Sequence, residues 1–259
     1  MDNDPLARRT KRVTFSLQPV VGSIEQFGGL GIGKLVIESF ASSEIPAAIL
    51  EEASKLFSEN YGIWGKDSER PGKPVKLNGH RLRAQWMPES ATTFYTRVTV
   101  DGQLAGNAFS CRWACDGKKI CWITQLVVSR DYRERGLAGT LLTTLRREDD
   151  DIYGIISSHP AACLAATKSF GTNIEKVSLE FIREHAATVM RSSPIPYVRD
   201  AELSGVLFDP GALEGIVSGV NTHFLVDHQE PLKRNWPSLT LRRALGDGRD
   251  WQCPRIRSP

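Results

Sequence analysis

The clearest hydrophobic pattern lies in the first half of the chain, where apolar and β-branched residues fill 93–100, 103–113 and 119–128. Asp101-Gly102 and Asp116-Gly117 separate these runs. Asp-Gly between such runs favours a two-residue hairpin, because both central positions need positive φ. The pattern predicts an antiparallel meander of three strands. The period then changes: Leu137, Leu141, Leu142 and Leu145 fall on one helical face. Upstream, 34–37 reads as a short strand. Pro46 opens a helix carried by Ile49, Leu50, Ala53, Leu56 and Phe57, which ends near Asn60-Tyr61-Gly62. The stretch 80–87 reads as the first strand of the core, with Arg81 and Arg83 alternating onto one face. Downstream, 152–157 reads as a strand, 161–170 as a helix stopped by Gly171, 177–182 as a strand, 208–220 as a helical piece and 223–228 as the last strand.

The order β-β-β-α-β-α-β is that of an α/β fold with a mixed sheet. The organisation expected is an N-terminal extension with a short strand over 1–40, one domain over 41–230, and a proline- and arginine-rich extension over 231–259.

Composition narrows the class. The chain has 259 residues, 41% of them hydrophobic and 24% charged, as in a soluble globular protein. A net charge of +3 with 30 acidic residues gives no reason to expect nucleic acid as a partner. Apolar runs fall short of the ~18 residues that span a bilayer, so no membrane partner is expected. The N-terminus has no apolar core of a secretory signal. Arg8-Arg9-Thr10-Lys11-Arg12 reads as a solvated basic tail, with a nuclear address left open; the expected location is cytoplasmic. Five cysteines, irregularly spaced, fit a reducing compartment. Cys111, Cys115 and Cys121 have no second cluster to complete a zinc site, so they read as strand packing and no metal is expected. Gly28 to Lys34 imitates a nucleotide-binding P-loop, but Leu35 stands where a magnesium-binding hydroxyl belongs.

The candidate chemistry sits where the strand pattern gives way to the helix. Arg133-Glu134-Arg135-Gly136-Leu137-Ala138-Gly139-Thr140 joins them. A helix N-terminus with unpaired N–H groups receives anions. Gly136, Ala138 and Gly139 let a pyrophosphate approach the backbone, and Arg133 and Arg135 add positive charge.

At these residues the chain resembles the GCN5-related N-acetyltransferases, whose signature is matched by Arg133-x-x-Gly136-x-Ala138. The resemblance covers roughly residues 45–230. It implies a largely antiparallel mixed sheet with a splayed centre, flanked by helices. It also implies acetyl-CoA as cosubstrate, held from Val128 and Arg133 through Thr140. The implied reaction is direct acetyl transfer to a primary amine of a small molecule, in a ternary complex. A protein lysine or N-terminus as acceptor, or a non-catalytic acyl-CoA-binding module, are the alternatives. Oligomeric state is not legible.

The resemblance further implies a bulge in the strand before the cradle, where the N–H of Leu126 or Val127 polarises the thioester carbonyl. Such a donor contributes about 3 kcal/mol to catalysis. Many family members carry a glutamate on that strand; here Thr124 and Gln125 stand there, and neither is a base. An alkylamine of pKa near ~10 needs one, which leaves Asp227, His228, His159 and Glu180 as candidates. The family's thiolate-protonating tyrosine corresponds to Thr167, with Ser157, Ser158 and Cys163 as other donors beside the thioester. Tyr61, Trp64 and Trp86 are candidates for an aromatic wall around a flat or cationic acceptor.

Overall fold

The computed structural model describes residues 21–22, 33–171, 173–209, 211–212, 218–227 and 229. These residues form a six-stranded sheet in the order β1-β2-β3-β4-β5-β6. The strands are β1 (Val21–Gly22), β2 (Leu35–Ala41), β3 (Thr92–Val100), β4 (Gln103–Cys115), β5 (Lys118–Val128) and β6 (Ile152–Ile155). Neighbours are antiparallel from β1 to β5, and β6 joins β5 in parallel. The expected meander is therefore β3-β4-β5. Its two turns have the positive φ that the sequence demands: 50° at Asp101 and Asp116, and 78° and 75° at the glycines that follow. The short strand expected at 34–37 continues to Ala41 and pairs with β3 over its whole length. A division at residue 40 thus cuts through a sheet strand.

Helices cover both faces. Helices α1 (Ala47–Asn60) and α2 (Gly79–Trp86) lie on one. Leu50, Ala53, Leu56 and Phe57 of α1 meet Leu82 and Trp86 of α2 over Tyr95, Phe109 and Val127. On the other face α3 (Leu137–Leu145) and α4 (Pro160–Ser169) close a second cluster, in which Leu141 and Leu142 cover Val98, Ala108 and Ile123. A third cluster packs α5 (Leu179–Arg191) and α6 (Pro196–Arg199) on Cys111, Ile120 and Trp122. A small antiparallel pair, β7 (Glu202–Ser204) and β8 (Gly219–Asn221), follows.

Four expected elements differ. Residues 80–87 form α2, not a strand: Asn78 caps it by accepting from Arg81 N, and Leu82 and Trp86, one turn apart, are both buried. Arg81 and Arg83 therefore do not share a strand face, and Arg83 donates to the carbonyls of Ser42 and Ile45. Residues 177–182 begin α5, capped by the Ser178 hydroxyl on Phe181 N. Within 208–220 the described residues hold a turn after Gly205 and then β8, with 210 and 213–217 outside the described set. Residues 223–227 make one isolated bridge, Val226 with Trp64, rather than a strand. Asp227 therefore does not sit on a strand, and His228 lies outside the described residues, as does most of the stretch 28–34. In each miscalled segment a local cap or turn outweighed a short, ambiguous apolar pattern.

Among the described residues no helix is long and apolar enough to cross a membrane.

Candidate active site

Strand β5 carries a register shift against β4. Phe109 faces Gln125 while Ser110 faces Ile123, so Thr124 is the extra residue of a bulge. One extra residue reverses the alternation of side chains beyond it. Cys121 and Ile123 pack toward α3, and after the bulge Leu126 and Val128 do so too. Val127 and, by alternation, Gln125 turn to the α1 face.

The partner on the other edge stops here as well. Strand β6 pairs with β5 only from Ile120 to Ile123, whereas β5 runs on to Val128. From Thr124 onward the edge of β5 is open and the sheet is splayed. Ser129 N donates to Ala105 O. In an antiparallel ladder the N–H direction alternates, so Val127 N–H also points to β4, and those of Leu126 and Val128 point into the splay. This separates the two expected oxyanion donors: Leu126 presents its N–H to the gap and Val127 does not.

The cradle follows directly. Gly136 is the N-cap of α3 with φ of 80°, and the first intrahelical bond is Thr140 N to Gly136 O. No side chain caps this helix, which leaves the N–H groups of Leu137, Ala138 and Gly139 outside the helix's own hydrogen bonding. A Cβ built on Gly136 meets nothing within 4 Å, so the space above the turn is open. Anionic oxygens fit these donors, as the chemistry of a pyrophosphate requires.

Arg133 does something the motif did not announce. Its Nη2 donates to Asn60 O at 2.8 Å and its Nε to Val128 O at 3.4 Å. Asn60 Oδ1 in turn accepts from Arg130 N at 2.9 Å. The C-terminus of α1 is thereby tied to the loop that carries the cradle. Arg135 lies outside the cleft lining, with its guanidinium over the Tyr132 ring at 5.3 Å.

One cleft of about 1660 Å³ contains the open edge, the cradle and an aromatic recess. A single small ligand typically fills ~300–1,000 Å³, so there is room for a long cosubstrate and an acceptor together. Leu126, Val127, Val128, Arg133, Glu134, Gly136, Leu137, Ala138, Gly139, Thr140 and Ser158 line it. So do Tyr61, Trp64, Trp86, His159 and Asp227. Besides Arg135, three expected residues do not. Cys163 gives its thiol to Ser157 O, Thr167 gives its hydroxyl to Leu164 O, and Glu180 is an exposed ion-pair partner of Arg183 on α5. Burial raises the Cys163 thiol above its ordinary value, so it is not a ready nucleophile.

Several site residues escaped the sequence reading. Phe224 joins the aromatic recess, edge-on to Trp64 at 5.1 Å and tilted against Tyr61 at 5.9 Å. Tyr197 enters from α6 and donates its hydroxyl to Thr124 O at 2.9 Å, on the bulge itself. Burial drives the Tyr197 hydroxyl far up, with smaller pushes from Tyr61 and Cys111. Burial also pushes the Tyr61 hydroxyl up to about 12. Both stay protonated at neutral pH. Pro196-Tyr197, a proline at a helix start, was the only sequence signal for α6. Nothing in the sequence pointed Tyr197 at β5.

The strand order, the bulged and splayed β5 and the glycine turn at α3 are the features that the resemblance to the GCN5-related N-acetyltransferases implies. Similar solved structures include a possible acetyltransferase from Clostridium difficile 630, at 18% identity and a TM-score of 0.37, covering 53% of this chain and 90% of that one. The ribosomal-protein-S18-alanine N-acetyltransferase from Escherichia coli gives 17%, 0.34, 51% and 76%. An aminoglycoside acetyltransferase from an uncultured soil metagenomic sample gives 16%, 0.35, 47% and 78%. No family model matches the chain, and no curated protein matches it.

Proposed function

We propose that the protein is an acetyl-CoA-dependent N-acetyltransferase acting on a primary amine of a small molecule. The observation that carries this reading is that the uncapped N-terminus of α3 and the open β5 edge belong to one cleft. The cradle would hold the pyrophosphate on the N–H groups of Leu137, Ala138 and Gly139. The Val128 N–H points into the splay and is available to the pantetheine amides. The Leu126 N–H would receive the thioester oxygen, where charge develops as the carbonyl becomes tetrahedral. The amine attacks from the α1 side, through the recess of Tyr61, Trp64, Trp86, Tyr197 and Phe224. Direct attack is favoured over an acyl-enzyme because Cys111 and Cys121 are fully buried and Cys163 is kept protonated.

The contiguous aromatic surface of Tyr61, Trp64 and Phe224 supports a small-molecule acceptor. The test is release of free coenzyme A thiol from acetyl-CoA on addition of amines. Thiol release that depends on both substrates supports the reading, and tight binding without release leaves an acyl-CoA-binding module instead.

A further inference from the structure

The floor of the acceptor recess is the bulge. Thr124 and Gln125 are 7% and 4% exposed, and both line the cleft. The Thr124 hydroxyl and both amide atoms of Gln125 have no hydrogen-bond partner within the described residues. Folded proteins seldom leave buried polar groups unpaired. Unlike the similarly unpaired Asn107 and Ser110 of β4, these two adjacent residues line the cleft, where their polar atoms are available to a ligand's own polar group.

Charged residues line the cleft, among them Asp67, Glu69, Arg70, Lys73 and Arg81, but these are exposed, whereas Thr124 and Gln125 are buried. From α6, Tyr197 donates to the Thr124 carbonyl, and from α1, Tyr61 faces Tyr197. Burial raises both hydroxyls, and Tyr61 and the Cys111 thiol of β4 add smaller pushes on that of Tyr197. Asp227, His159 and His223 line the same cleft; Asp227 accepts from Gln229 N through Oδ1, and His223 lies beside the Glu202 carboxylate.

We propose that Gln125 is the residue that sets acceptor specificity, selecting an amine whose nitrogen arrives uncharged: an aryl amine or aryl hydrazine. Its ring lies against the Tyr61, Trp64 and Phe224 wall, and its nitrogen hydrogen-bonds to Gln125 and Thr124. This rests on the acetyl-transfer reading above. An alkylammonium would shed its hydration against the neutral hydroxyl and amide of Thr124 and Gln125. It would also have to lose a proton before it could attack. An aryl amine needs neither. Its lone pair forms the C–N bond, the C–S bond breaks, and the proton lost from nitrogen equals the one gained by the coenzyme A sulphur. The competing occupant is an alkylammonium held on the ring faces.

The experiment compares 4-methylaniline with benzylamine, using the full chain and acetyl-CoA and following free thiol. The wild type should favour 4-methylaniline by about tenfold or more in kcat/KM, with a rate that is flat from about pH 6.5 to about pH 9. Gln125→Glu, which supplies a carboxylate, should turn the preference toward benzylamine. Gln125→Met, nearly isosteric but without the amide, should erase the preference while leaving acetyl-CoA affinity unchanged by calorimetry. A wild type that prefers benzylamine, a preference unmoved in both variants, or acetyl-CoA binding with no aryl amine acetylated would each overturn the proposal. Failure of acetyl-CoA to bind at all would instead bring down the acetyl-transfer reading, and calorimetry registers it before any amine is added.

Discussion

Gly136 meets two demands at once. Its φ of 80° is a conformation that side chains rarely adopt, and the space above it is where an anion would sit. Replacing it with aspartate or asparagine imposes similar backbone strain, on the order of 1–3 kcal/mol, but only aspartate adds a negative charge. We therefore expect Gly136→Asp to lose measurable acetyl-CoA binding by calorimetry and Gly136→Asn to retain part of it. Equal affinities in the two variants would remove the anion from this turn.

By its place at the start of the motif, Arg133 reads as a phosphate ligand. The structure has it bridging the carbonyls of Asn60 and Val128. Hydrogen bonds to charged groups contribute about 1.5–3 kcal/mol each. Arg133→Ala should thus lower the melting temperature even without ligand, and a phosphate-only role would leave the unliganded Tm alone. No spacing rule could have revealed this, since Asn60 lies far away in sequence and meets Arg133 only once α1 has packed on the sheet.

At the level of elements, β4 and β5 owe their burial to small and apolar residues, two of them cysteines. Burial pushes the thiols of Cys111 and Cys121 from an ordinary 9.0 up to about 12. Between these values the unfolded chain loses protons that the folded chain keeps. Stability is therefore full below pH 9 and falls as pH rises toward 12, by up to about 1.4 kcal/mol per pH unit for each thiol. Cys111→Ala/Cys121→Ala should flatten the decline in Tm across that alkaline range, though starting from a lower value because of the lost packing. A slope identical to wild type would place the alkaline sensitivity elsewhere.

The same two strands and their hairpins were legible because period-two alternation and Asp-Gly turns agree with each other. Helices α2 and α5 were not, because each opens on a short run that suits either period, and the decision rests with the Asn78 and Ser178 caps. The bulge at Thr124 is a further kind of case. Nothing in the order of residues marks it, yet it decides which side of the sheet Gln125 and Leu126 serve.

For the whole molecule, the cleft joins surfaces from α1, β5, α3, α4 and α6. A ligand that spans them stabilises the native state by RT ln(1 + [L]/Kd), about 2.7 kcal/mol at a hundredfold excess over Kd. Acetyl-CoA and coenzyme A should raise the Tm, and ATP with magnesium should not. A comparable shift with ATP would return attention to the glycine-rich stretch ending at Lys34. The glycine-rich turn at Gly136 and the aromatic residues Tyr61, Trp64 and Trp86 could be picked out as candidates in the sequence because they are contiguous or chemically conspicuous. The contact of Tyr197 in α6 with the β5 bulge could not, because those segments meet only in three dimensions.

The central claim is that one cleft activates an acetyl thioester for an amine. The most direct measurement follows free thiol while acetyl-CoA and an amine are mixed with wild-type protein and, in parallel, with Gly136→Asp. The account predicts amine-dependent thiol release by the wild type, matched mole for mole by acetylated amine, and none by the variant. Release of equal rate from both proteins, or no release from wild type across aryl and alkyl amines, would contradict it.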